Sequence, residues 1–169
     1  LEEAIKFGLS IQERTGKLFV WLCVTNKGVW DVNLPAIAQL GSPISEEDLA
    51  SHGNPSDPNV GKGQKMVARR GMAVRLTRNI DKESGFVNGA IAIVCDVLED
   101  YYPSEGKHTC IFTARLSTGS MIMVHPVSAG RCDALYDLLP CTYRYATTLR
   151  RAQGASLGFV CLYFDAKIP

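Results

Sequence analysis

The 169 residues are 46% apolar, enough for a core and of a length that suits one domain, or one domain carrying a small insert. With 18 Lys and Arg against 17 Asp and Glu the formal net charge is +1, so overall charge does not mark the chain for polyanions. The sequence has no apolar run of membrane-spanning length, and its start, Leu1 to Gly8, is mixed and acidic, unlike a signal peptide; without an initiator Met it is expected to be a fragment or a processed chain.

Glu2 to Thr15 carries Ile5, Phe7, Leu9 and Ile11 and predicts a helix ended by Gly16. Leu18 to Val24 is a continuous apolar run of strand length, as in a parallel sheet covered on both faces, with Trp21 in the core. Thr25 and Asn26 follow it. Ligands of open α/β sheets collect beyond the carboxyl ends of strands, so these residues either cap the next helix, Lys27 to Leu40, or meet a nucleic-acid backbone. Ser45 to Asp48 resembles a capping box opening a short helix. His52 to Gln64, rich in Gly, Pro and Asn, reads as a linker.

The next block alternates. Met72, Val74 and Leu76 share one face of a strand and Ala73, Arg75 and Thr77 the other. Asn88-Gly89 is a turn signal, followed by alternating Ile91, Ile93, Cys95 and Val97. Thr109 to Leu116 and Ser120 to Val127 are two further β runs. Short strands without a helix suit a small closed or half-closed barrel. Arg131 to Leu139 reads as helical or irregular, and Val160 to Phe164 as a second buried strand. The expected fold is therefore α/β: a parallel sheet with helices over 1–66 and 130–169, interrupted by a small all-β insert over 67–129.

The six cysteines form no C-x-x-C pair, and His52, His108 and His125 show no ligand spacing. Buried thiols are expected, with no metal site. Neither Gly61-Lys62 nor Gly16-Lys17 completes a phosphate-binding P-loop, and Glu46-Glu47-Asp48 follows no apolar strand that would make it a magnesium-binding element. No catalytic residue is expected in this stretch of chain.

Charge is uneven. Residues 65–87 hold six basic and two acidic residues, and residues 144–151 three basic and none acidic. Such islands are a weak footprint of nucleic-acid binding, or else solvated faces. The second lies in Tyr143 to Leu157, YRYATTLRRAQGASL. A strand ending in Thr147-Thr148 and turning into a helix leaves backbone N–H groups free to attract phosphate, and Arg150 and Arg151 add two charges within one turn. The competing readings are surface ion pairs for the arginines, a helix C-cap for Gly154 and buried positions for Tyr143 and Tyr145 rather than stacking on bases.

This stretch resembles motif V of the Pif/RecD-type branch of superfamily-one DNA helicases, an Ala-x-Thr-x-His-Lys-x-Gln-Gly-x-Thr-Leu pattern. Thr148, Arg151, Gln153, Gly154 and Leu157 match it in kind; Arg150 stands for the His and Ser156 for the second Thr. Arg75 to Val94 resembles the stretch that opens the family's inserted barrel, and Phe19 to Asn33 the motif IV strand and helix. The three stand in the family's order.

The resemblance implies the second RecA-like half of an ATP-dependent helicase, its sheet interrupted by a barrel of Src-homology type. It implies DNA-backbone contacts from Thr148, Arg150, Arg151, Thr25, Asn26, Arg75 and Arg78, and coupling to ATP through Gln153 and Gly154. ATP and Mg would be bound in the full-length protein and neither by this fragment alone. The implied partners are single-stranded DNA or a single/double-strand junction and the first RecA-like domain of the same chain, with no membrane. The implied setting is intracellular (nucleus or mitochondrion, or bacterial cytoplasm), in repair, recombination or telomere maintenance. The family's motif VI, with its arginine, would follow Pro169. Two readings from other classes stay open: a stand-alone single-strand-binding module, and a protein-interaction domain.

Overall fold

The computed structural model describes residues 1–41, 50–52, 64–102, 107–131 and 134–166. In chain order the elements are α1 (Glu2–Thr15), β1 (Phe19–Cys23), α2 (Asn26–Ala38), β2 (Ala50–His52), β3 (Gln64–Met66), β4 (Ala73–Leu76), β5 (Ile91–Tyr102), β6 (Lys107–Leu116), β7 (Met121–Val124), β8 (Val127–Arg131), β9 (Ala134–Leu138), β10 (Cys141–Tyr143), β11 (Ala146–Thr148), α3 (Leu149–Ala152) and β12 (Phe159–Tyr163). They fall into two compact units: Leu1–Pro43 with Tyr143–Pro169, and Ile44–Thr142.

The first unit is a parallel sheet in the order β11-β1-β12. β1 is its middle strand because its apolar run meets cover on both sides: Val20, Trp21 and Cys23 are buried. α1 ends where Gly16 takes a left-handed φ of 66°, its N–H donating to Gln12 O. The helix approaches β1 so closely that a Cβ on Gly8 would stand 2.2 Å from the Trp21 ring. Phe19 packs against Trp21 with ring centroids 4.6 Å apart. β12 departs from the expected buried strand: Val160, Leu162 and Phe164 are exposed, because it is an outer strand.

The second unit centres on a five-stranded sheet, β10-β4-β5-β6-β7. β4 to β7 pair antiparallel, with a register shift between Val94 and Asp96. Three strands of the expected β block run close to their predicted bounds, but β5 and β6 form a longer hairpin than short strands imply. Ala92 and Val94 are buried in β5, while Ile91 and Ile93 are only half-buried. The sequence 131–139, expected to be helical or irregular, instead supplies β9, which pairs antiparallel with β8 from Val127↔Leu138 to Arg131↔Ala134. The linker expectation 52–64 is bounded by paired residues, His52 opposite Gln64 in the β2–β3 ribbon; the capping-box helix at 45–48 lies outside the described residues.

The second unit, Ile44–Thr142, takes in residues on both sides of 67–129. β10 joins β4 in the sheet, Thr77 N–H donates to Pro140 O, and the Cys141 thiol meets Met66 Sδ at 3.7 Å. Residues on both flanks of the expected insert thus belong to its core.

Candidate nucleic-acid interface

Parallel pairing sets the three strands of the first unit to end at one level: Cys23 lies opposite both Thr148 and Tyr163. The next residues in each case are chemically distinct, and all lie at the carboxyl edge of the sheet, where open α/β folds gather their ligands.

After β1, Thr25 caps α2. Its backbone is extended and its hydroxyl accepts from Gly28 N–H at 3.1 Å. After β12, Asp165 turns back onto the same helix start. Its carboxylate accepts from Val24 N–H at 2.8 Å, from Thr25 N–H at 3.2 Å, from Gly28 N–H at 3.2 Å and from the Thr25 hydroxyl. The Thr25 hydroxyl first, and then the Val24 and Thr25 N–H groups, hold the Asp165 carboxyl down at about 2. Gly28 permits the approach: a Cβ there would stand 2.4 Å from the carboxylate. The α2 N-terminus, a natural seat for an anion, is thus filled by the chain's own carboxylate.

After β11, Thr148 caps α3, its hydroxyl accepting from Arg151 N–H at 3.4 Å. α3 is a single turn. Arg150 and Arg151 are exposed on it, and neither pairs with a carboxylate among the described residues. Gln153 is exposed in non-helical backbone, and Gly154 is left-handed at φ 78° with nothing within 4 Å of a Cβ position. Both are reachable by a ligand on that side.

The sequence-predicted site residues therefore divide. Thr25, Asn26, Thr148, Arg150, Arg151, Gln153 and Gly154 share the first unit. Asn26 is exposed at the start of α2, whereas the Thr25 hydroxyl is engaged by Gly28 and Asp165. Arg75, half-buried in β4 opposite Ile91, and Arg78, exposed beyond that strand, belong to the second unit. Tyr143 and Tyr145 are buried, Tyr143 lying edge-on to Trp30 with centroids 5.9 Å apart, so neither offers a face to a base. Burial, with the charges of Asp165 and Asp31, pushes the Cys23 thiol up to about 11, so it stays protonated.

Sequence reasoning missed two residues. Asp165 has one signal, an acid directly past an apolar strand. Asn33, inside the stretch resembling motif IV, is buried in α2, and its Oδ1 accepts from Ala146 N–H at 3.0 Å.

The architecture is mixed α/β, a parallel sheet in one unit and an antiparallel sheet in the other, and it matches part of the fold of Pif1 helicases. Pif1 helicase from Candida albicans matches over 96% of this chain and 43% of its own, at TM-score 0.64 and 15% identity. Bacteroides Pif1, in complex with ADP-AlF3 and single-stranded DNA, matches over 96% of this chain and 39% of its own, at TM-score 0.60 and 16% identity. A structure of two coordinating Pif1 helicases on forked double-stranded DNA matches over 85% and 32%, at TM-score 0.61 and 20% identity. The chain thus spans less than half the length of these helicases. No family model matches the sequence, and no curated protein is significantly similar to it.

Proposed function

We propose that the chain is part of an ATP-dependent DNA helicase: the C-terminal motor half, a RecA-like domain with an inserted small barrel. In the full-length protein it grips single-stranded DNA, alone or at a duplex junction, and couples that grip to ATP hydrolysis with the first RecA-like domain. The observation that carries this reading is the sheet edge where Thr148 and the exposed Arg150 and Arg151 follow β11, in line with the end of β1. The fold likeness to Pif1 helicases over most of the chain supports it.

In this reading Arg150 and Arg151 meet DNA phosphate, with Thr148 and Asn26 beside them and Arg75 and Arg78 contributing from the insert. Thr25 serves by shaping the edge, since its hydroxyl is spent on Gly28 and Asp165. Gln153 and Gly154 face bound nucleotide; their exposure and the open space at Gly154 fit a γ-phosphate approaching from the other motor half. In the full-length protein, hydrolysis of ATP held with Mg would supply the free energy of translocation. The P-loop and the Mg-binding carboxylates would belong to that other half, so this chain alone is expected to release no phosphate from ATP.

Titration of labelled oligo-dT with the purified chain at several salt concentrations tests the reading. Affinity that falls as salt rises supports it. Absence of binding at low salt overturns it.

A further inference from the structure

Among the described residues β11 is an outer strand, with β1 its one partner in the sheet. Trp21 N–H donates to Tyr145 O at 2.9 Å, which turns the Tyr145 peptide groups toward β1 and the Ala146 N–H away from it. Ala146 is 4% exposed, too buried for water to serve that N–H. Its acceptor is the Asn33 side chain, also 4% exposed and 113 residues away in sequence. Asn33 rises from the middle of α2, the helix whose start is held by Thr25 and Asp165. α2 is therefore bonded at one end to the residues past β1 and β12, and at its middle to β11, two residues before Thr148.

We infer that Asn33 is a positioning residue for the Thr148–Arg151 corner: by accepting the outward Ala146 N–H it fixes β11 against α2, and with it the place from which Arg150 and Arg151 project. The inference rests on the DNA-gripping role proposed above. Its physical basis is the asymmetry of buried hydrogen bonds. A buried N–H that loses its acceptor costs more than the bond contributes, so the strand shifts to find another partner.

Asn33→Leu keeps the branching at Cγ, adds volume and removes the acceptor; Asn33→Asp keeps an acceptor oxygen. Amide hydrogen exchange and the oligo-dT salt titration are measured on the chain and both variants. In N33L, protection at residues 146–148 is expected to fall roughly tenfold while Val20 to Leu22 keep theirs. The slope of log affinity against log salt should flatten by about 0.7, one phosphate contact. N33D is expected to restore both. Unchanged protection and slope in N33L overturn the inference and leave the DNA reading standing. Protection lost equally through β1 and β12 means a core role only, and also overturns it. No salt-dependent binding by the unsubstituted chain overturns both. If N33L does not fold, Asn33→Ser, with a hydroxyl too short to reach Ala146, is judged by the same outcomes.

Discussion

Asp165 caps α2 through Thr25: the carboxylate takes the Thr25 hydroxyl and, with it, the N–H groups of Val24, Thr25 and Gly28. One acid at the end of β12 thereby locks the turn between β1 and α2. It also sets a negative charge where an unoccupied helix start would attract phosphate. The basic corner at Arg150 and Arg151 follows β11, on the other side of β1 from β12, so the two strand ends offer opposite electrostatics to a polyanion.

The Asp165 carboxyl is held at about 2 against an ordinary 3.8. A carboxylate lowered in the folded state stabilises fully above its ordinary value, and that stability is lost as pH falls through the lowered one. The melting temperature of the unsubstituted chain is therefore expected to exceed that of Asp165→Asn at pH 5 to 6. The gap should close between pH 4 and pH 2. Thermal melts across that range check it; a gap that widens toward low pH contradicts the sign.

Two glycines invert the usual helix rule. Gly to Ala within a helix ordinarily stabilises by about 1 kcal/mol. At Gly8 the new methyl would stand 2.2 Å from the Trp21 ring, which is fully buried and cannot retreat. Gly8→Ala is expected to destabilise by about 1–3 kcal/mol, an overpacking cost larger than the propensity gain. Gly28→Ala would displace Asp165 and should reproduce the loss of pH-dependent stability expected for Asp165→Asn. Urea denaturation checks both variants, the second at pH 6.

Much of this was legible in the sequence, for identifiable reasons. Apolar continuity marked β1, Gly16 marked the end of α1, and Thr147-Thr148 followed by paired arginines marked the β11–α3 corner. What was not legible depends on long-range pairing. Val160, Leu162 and Phe164 read as a buried strand because period alone does not tell an outer strand from a middle one. Ala134–Leu138 becomes a strand because β8 lies beside it, and no local pattern announces that partner. Asp165 and Asn33 act on backbone more than a hundred residues away, so neither belongs to a motif that spacing reveals.

The boundary of the insert makes a separable prediction. Met66, Leu139 and Cys141 are each at most 1% exposed and lie outside 67–129. Replacing 67–129 by a Gly/Ser linker would strip their partners and uncover them. Replacing 44–142 removes the whole second unit. The second variant is expected to unfold cooperatively and stay soluble, the first to aggregate or bind a hydrophobic dye. Equal cooperativity in the two would return the boundary to 67–129.

The basic corner carries the functional prediction. Arg150 and Arg151 are exposed, and neither has a carboxylate partner among the described residues, so their removal breaks no ion pair there. Exposed positions of this kind change stability by about 0.5 kcal/mol or less. The double variant Arg150→Ala, Arg151→Ala should therefore melt within a few degrees of the unsubstituted chain. Each single-strand phosphate neutralised contributes roughly 0.7 to the slope of log affinity against log salt, so the slope should flatten by up to about 1.4. Preference among oligo-dT, oligo-dA and mixed sequences should hardly change, because phosphate contacts orient a strand without reading it. Oligonucleotide titrations at several salt concentrations, run beside thermal melts, separate the outcomes. A flatter slope at unchanged melting assigns the corner to DNA. An unchanged slope at unchanged melting removes the two arginines from the DNA path. An unchanged slope with a large drop in melting temperature makes them structural, and the corner would then serve the fold rather than the strand.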